Sequence, residues 1–149
     1  MKFITNPNDL MQWTAFNYLQ KGATLIFNGQ EVQAERVPEL FEKDPINWNE
    51  DKDISDYMSH LVQLQKDYIP VSNDRYYLIA DDTLDTVQLC FDKKDRTIIG
   101  VFNLKEHTGE VDVEMTDGSY TNLISKESGT INNGKLTSKH TPALFEIKK

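Results

Sequence analysis

The chain has 149 residues, which bounds it to one ordinary domain or a small domain plus part of another. Its 16 Lys and Arg against 24 Asp and Glu give a net charge of -8, which repels phosphate backbones and anionic membrane surfaces, so neither nucleic acid nor a membrane is expected as partner. Hydrophobic residues at 38% and charged residues at 27% are those of a soluble globular protein, and no run approaches the ~20 apolar residues of a membrane helix.

In chain order, Phe3 and Ile4 stop at Asn6-Pro7-Asn8, which predicts a short strand ending in a turn. From Leu10 to Gln20, Leu10, Trp13, Phe16 and Leu19 recur three apart, with Met11, Ala15 and Tyr18 widening the stripe. This predicts a helix with little exposed surface, capped by Asn8 or Asp9 and closed by Gly22. The fully apolar run Ala23-Thr24-Leu25-Ile26-Phe27 ends at the turn pair Asn28-Gly29. A continuous apolar run of that length reads as a strand buried on both faces, as in a parallel sheet covered by helices. Gln30-Glu31 follow at its C-terminal end, where α/β folds carry ligand groups.

The segment from Asn28 to Asp53 is long for a structureless connection, so it is expected to be functional or to contain short pieces of structure. Helical period returns at Ile54, Tyr57, Met58, Leu61, Val62 and Gln65. That predicts an amphipathic helix capped by Asp51 or Asp53, packed on the strand 24–27 and leaving Asp56, Ser59, His60 and Gln63 outside.

After Pro70 the period changes from 3.6 to 2, which marks a domain boundary. Strands are predicted at Tyr76 to Ala80, Val87 to Phe91, Thr97 to Leu104, Val111 to Met115, Tyr120 to Ile124, Thr130-Ile131 and Leu144 to Ile147. In the second of these Val87, Leu89 and Phe91 point inward. Asn133-Gly134 is the pair expected of a two-residue type I′ hairpin. Seven or eight short strands in this length suggest a two-layer antiparallel sandwich.

Cys90 is alone, which excludes a disulfide framework. With His60, His107 and His140 scattered, neither zinc-ligand spacing nor a Cys-His dyad is present, so these read as packing or surface residues and no metal or cofactor is expected. The N-terminal apolar stretch is too short for a signal peptide, which together with the single cysteine favours a cytoplasmic location.

Gly22-Ala23-Thr24-Leu25-Ile26-Phe27-Asn28-Gly29-Gln30-Glu31 resembles the eighth-strand signature of the α-amylase superfamily of glycoside hydrolases, Gly-x-x-x-Ile-Tyr/Phe-x-Gly-Gln/Asp-Glu. Phe41 through Trp48 resembles the loop before that family's last barrel helix. Asp117-Gly118-Ser119-Tyr120-Thr121-Asn122-Leu123 is similar to its DG-x-Y-x-N-L strand, and Pro142-Ala143-Leu144-Phe145 to its closing strand. The resemblance covers nearly the whole chain. It implies an α+β chain: a (β/α)8-barrel remnant (strand-helix-strand-loop-helix) over residues 1–69, then an antiparallel β-sandwich over 70–149. The implied partners are the rest of the barrel and, through the parent enzyme, an α-glucan or maltooligosaccharide.

The resemblance also implies what is missing. The family's nucleophile Asp and acid/base Glu follow its fourth and fifth strands, and nothing here corresponds to them; hydrolysis requires both carboxylates. The motif Phe-x-x-Asn-His-Asp reads Phe3-Ile4-Thr5-Asn6-Pro7-Asn8, so Pro7 replaces the His and Asn8 the stabilising Asp. Asn6, Gln30 and Glu31 remain as substrate-cleft candidates. Beside this stand plainer readings: Asn8 as a helix cap, Gln30-Glu31 as ordinary loop polars, and Trp13 and Trp48 as packing residues. A noncatalytic carbohydrate-binding or interaction module is the alternative function. It would need coplanar exposed aromatics, for which Tyr76-Tyr77 offer one candidate. A barrel remnant also leaves apolar edges uncovered, so dimerisation, as a homodimer through those edges, or aggregation is expected if the chain exists by itself.

Overall fold

The computed structural model describes residues 4, 6–34, 39, 41, 43–48, 50–69, 75–105 and 108–149. Most of the first predicted strand, Pro70 and His107 fall outside them. Helix α1 spans Pro7–Tyr18 and α2 spans Ser55–Tyr68, with 3-10 turns at Gln30–Val32 and Glu50–Lys52 dividing the long connection. The strands are β1 Arg75–Asp81, β2 Thr86–Asp92, β3 Arg96–Asn103, β4 Gly109–Asp112, β5 Gly118–Thr121, β6 Ser128–Asn132, β7 Lys135–Ser138 and β8 Ala143–Lys148. All pairings are antiparallel, in two four-stranded sheets ordered β1-β2-β3-β8 and β4-β7-β6-β5.

The two sheets pack as the expected antiparallel sandwich, and the first is covered on its other face as well, by the helices. Val87, Leu89, Phe91, Ile98, Phe102 and Leu144 share a core with Ala15 and Tyr18 of α1, with Leu19 at its C-cap, and with Met58, Leu61 and Leu64 of α2. The alternate positions Cys90, Ile99, Val101, Ala143 and Phe145 meet Val111, Ile131 and Leu136 of the second sheet. Period 2 therefore sorts residues between two buried faces, and β2 is buried from Thr86 to Phe91. The layers run helices, sheet, sheet.

Hairpin β6–β7 turns on Asn133 (φ 51°) and Gly134 (φ 71°), with Asn132 paired to Lys135, as the Asn-Gly pair predicted. Strand β7 is the second arm of that hairpin, which the Asn-Gly pair implies without giving its range. The predicted strands at 111–115 and 120–124 are shorter and earlier: β4 ends at Asp112, and β5 ends where Asn122 leaves the ladder to bind other backbone groups.

The predicted strand 23–27 is the main departure. It forms no ladder with any described residue, and Leu25, Ile26 and Phe27 are 82%, 48% and 63% exposed. A strand is held by hydrogen bonds to neighbours, and an apolar run without them stays extended and uncovered. Helix α2 meets this segment at its start, where Gln65 Nε2 donates to Thr24 Oγ1 at 3.3 Å. Its apolar face goes to α1 and the first sheet instead.

Candidate functional site

Asn6, not Asn8 or Asp9, caps α1: its Oδ1 accepts from Asn8 N at 2.9 Å, and Pro7 sits in the first turn, where its missing N–H costs nothing. Asn8 is exposed. Asp9, one position on, is held by the sandwich: its Oδ1 lies 2.7 Å from His140 Nε2 in the turn before β8. His140 is buried and adopts φ 53°.

Gln30 and Glu31 form the 3-10 turn after the apolar run. Gln30 Oε1 accepts from Phe27 N at 3.4 Å, and Glu31 Oε2 accepts from Gly29 N at 3.0 Å. The Glu31 carbonyl accepts from Ile54 N at 2.8 Å, joining this turn to the start of α2. Burial and then the charge of Glu31 push the Tyr18 phenol upward. Asn6 and Asn8 thus sit at the start of α1, and Gln30 and Glu31 in a turn tied to the start of α2.

Further polar links fasten the helices to the sandwich besides Asp9–His140, and none was legible as a site. Gln12 Oε1 accepts from Asn103 N at 3.1 Å, and Trp13 Nε1 donates to Leu104 O at 3.1 Å. His60 Nε2 lies 3.2 Å from both Leu123 O and Ile124 O. His60 is accordingly half-buried rather than on the outer face of α2. Gln12 and His60 carried a weak signal: each is a polar side chain set beside the apolar stripe of its helix. Asp53 fits its expected role in part, because its Oδ1 accepts from Ser55 N at 2.7 Å although Ile54 is the capping residue.

The DG-x-Y-x-N-L stretch is a structural latch. Asp117 accepts from Gly134 N at 2.9 Å, and Tyr120 sets its ring edge-on to Phe145. Buried Asn122 accepts from Ile124 N (3.0 Å) and Leu144 N (3.1 Å) and donates to Pro142 O (3.0 Å). These bonds tie β5, its following turn and β8 into one corner.

Tyr76 stacks on Phe91 at 4.6 Å, and Tyr77 is tied by its hydroxyl to Glu114 at 2.8 Å, so the pair offers no free platform for a sugar ring. Trp13 packs edge-on to Phe16, whereas Trp48, expected to pack, is 55% exposed. A shallow depression between β6, β7 and β8 is lined by Ser125, Ser128, Thr137 and Thr141, and its aromatic, Phe145, is buried. Among the described residues no cluster of three metal-ligating side chains occurs, and no helix is long and apolar enough to cross a membrane.

Residues 78–145 match the family model described as the bacterial alpha amylase C-terminal domain. No curated protein matches the chain in sequence. Among solved structures, an alpha-amylase from Lactobacillus plantarum is 25% identical with a TM-score of 0.82, over 97% of this chain and 34% of its own. A maltogenic alpha-amylase from Thermotoga neapolitana shows 19% identity and a TM-score of 0.72, over 97% of this chain and 37% of its own. An alpha-amylase from Geobacillus thermoleovorans shows 12% identity and a TM-score of 0.74, over 97% and 34%. The chain therefore spans about a third of the length of the structures it matches.

Proposed function

Because this chain is the C-terminal part of an α-amylase family protein, we propose that it supplies the last portion of an enzyme acting on the α-glucosidic bonds of an α-glucan or maltooligosaccharide. Residues 1–69 are then the C-terminal end of the catalytic barrel and 70–149 the all-β domain packed on it. The carrying observation is the segment 25–27, whose apolar side chains are exposed and whose backbone pairs with no described strand. Barrel neighbours would give it both hydrogen bonds and cover.

In this reading Asn6, Gln30 and Glu31 border the substrate cleft, and the chain by itself is inactive. It has no counterpart of the nucleophile or the acid/base, and Asn8 cannot carry the charge of the stabilising Asp. Asp9 does not replace it, because its carboxylate is engaged by His140. Where barrel strands are absent, the same apolar segment drives formation of a homodimer.

A chimera in which this chain replaces the matched third of the Lactobacillus plantarum enzyme tests the reading. We expect it to fold, to protect the amides of 24–27 from exchange, and to hydrolyse maltooligosaccharides faster after Pro7→His with Asn8→Asp. A folded chimera with 24–27 unprotected contradicts the barrel placement, and indifference to Asn8→Asp contradicts the assignment of Asn8.

A further inference from the structure

Asn-Gly occurs twice in the sequence, at Asn28-Gly29 and Asn133-Gly134. Asparagine is thermolabile, and a following glycine, lacking a side chain, leaves the backbone nitrogen free to attack. In that reaction the glycine nitrogen gives its proton to hydroxide and bonds to the asparagine Cγ, and the side-chain nitrogen leaves as ammonia. Water then opens the resulting succinimide to aspartate or isoaspartate.

At both places the attacking nitrogen is already engaged by a carboxylate. Gly134 N donates to Asp117 Oδ1 at 2.9 Å from 17 positions away, and Gly29 N donates to Glu31 Oε2 at 3.0 Å. Asn133 N also donates to Asp117, and the Gly134 carbonyl accepts from Val113 N at 2.8 Å, so the turn is held from both sides. Ring closure requires the Asn133–Gly134 peptide to rotate out of the type I′ turn and break these bonds. A carboxylate is too weak a base to take an amide proton, but its charge opposes a second negative charge on the nitrogen it faces. The contact therefore slows the reaction.

We propose that Asp117 and Glu31 guard Asn133 and Asn28 against succinimide formation. Loss of the guard at Asn133 would place a new carboxylate beside Asp117, and isoaspartate would add a backbone carbon to the hairpin that pairs Asn132 with Lys135. This gives Glu31 a role that does not depend on substrate.

The test is site-resolved deamidation of the folded chain at mildly alkaline pH, followed by peptide mapping and enzymatic labelling of isoaspartate. Asp117→Ala should speed loss of Asn133 by ~10- to 100-fold, the factor set by giving up a hydrogen bond to a charged group, and leave Asn28 unchanged. Glu31→Ala should do the reverse. Glu31→Gln, which keeps an acceptor oxygen without the charge and preserves packing, should give a smaller acceleration at Asn28 alone. Equal acceleration at both pairs, no acceleration at either, or slower reaction in the variants would overturn the proposal.

Discussion

His140 Nε2 lies 2.7 Å from Asp9 Oδ1, closing a contact across 131 residues between the turn before β8 and the first turn of α1. Both side chains are largely withdrawn from solvent, at 7% and 22% exposure, so the pair is poorly screened. Replacing either by alanine should destabilise the chain by about 1 to 3 kcal/mol in urea unfolding, and a double-mutant cycle should show coupling of at least about 0.5 kcal/mol. Strict additivity would show that the contact contributes nothing.

Asn122 makes three hydrogen bonds to the backbone of its own turn and of the segment entering β8. Asn122→Ala leaves the buried N–H of Leu144 without its acceptor and should cost about 2 to 4 kcal/mol. A midpoint within error of the parent would mean that water replaces the side chain.

Gly100 on β3 leaves room for an aromatic ring. A Cβ there would stand 2.7 Å from Phe102 Cε2 and 2.9 Å from Leu89 Cγ, both of fully buried side chains. Gly100→Ala should destabilise by about 1 to 3 kcal/mol, and adding Phe102→Leu should recover part of the loss.

Stability should fall at both ends of the pH scale. Hydrogen bonds from the Asn133 and Gly134 backbone hold the Asp117 carboxyl below its usual value, and bonds from Lys149 and Thr97 do the same for Asp92. A depressed folded-state value stabilises above the unfolded value of about 3.9 and is lost as pH falls through the folded one. Burial raises the Tyr57 phenol, and a hydrogen bond to Glu114 leads the rise at Tyr77. Their contributions are full below about pH 10 and are lost as pH rises past it. Thermal midpoints against pH should therefore show a plateau with acid and alkaline shoulders, and Asp117→Ala should flatten the acid one.

The strands were legible because their alternation and the turn residues between them are local signals. The third layer was not. Gln88 sits at a position that period 2 assigns to solvent, yet it is buried and donates through Nε2 to Asp112 O at 2.6 Å in the second sheet. A polar residue whose partner lies in another sheet looks exposed in sequence. Thr24 to Phe27 failed in the opposite way: its composition is that of a covered strand, while its cover is not among the described residues. The Asp9–His140 link joins positions too distant for any sequence period to relate.

That uncovered segment should also control self-association. Leu25→Asp with Phe27→Asp removes apolar surface without touching either core, so sedimentation should show less dimer than in the parent chain. Equal dimer in both would place the contact elsewhere.

The most direct measurement is the release of reducing ends from maltoheptaose by the purified chain. On the proposed reading, which leaves both principal carboxylates without a counterpart and puts Asn8 in place of the third, no release above a protein-free control is predicted. A rate proportional to the concentration of this chain would contradict the assignment of the chemistry to the remainder of the barrel.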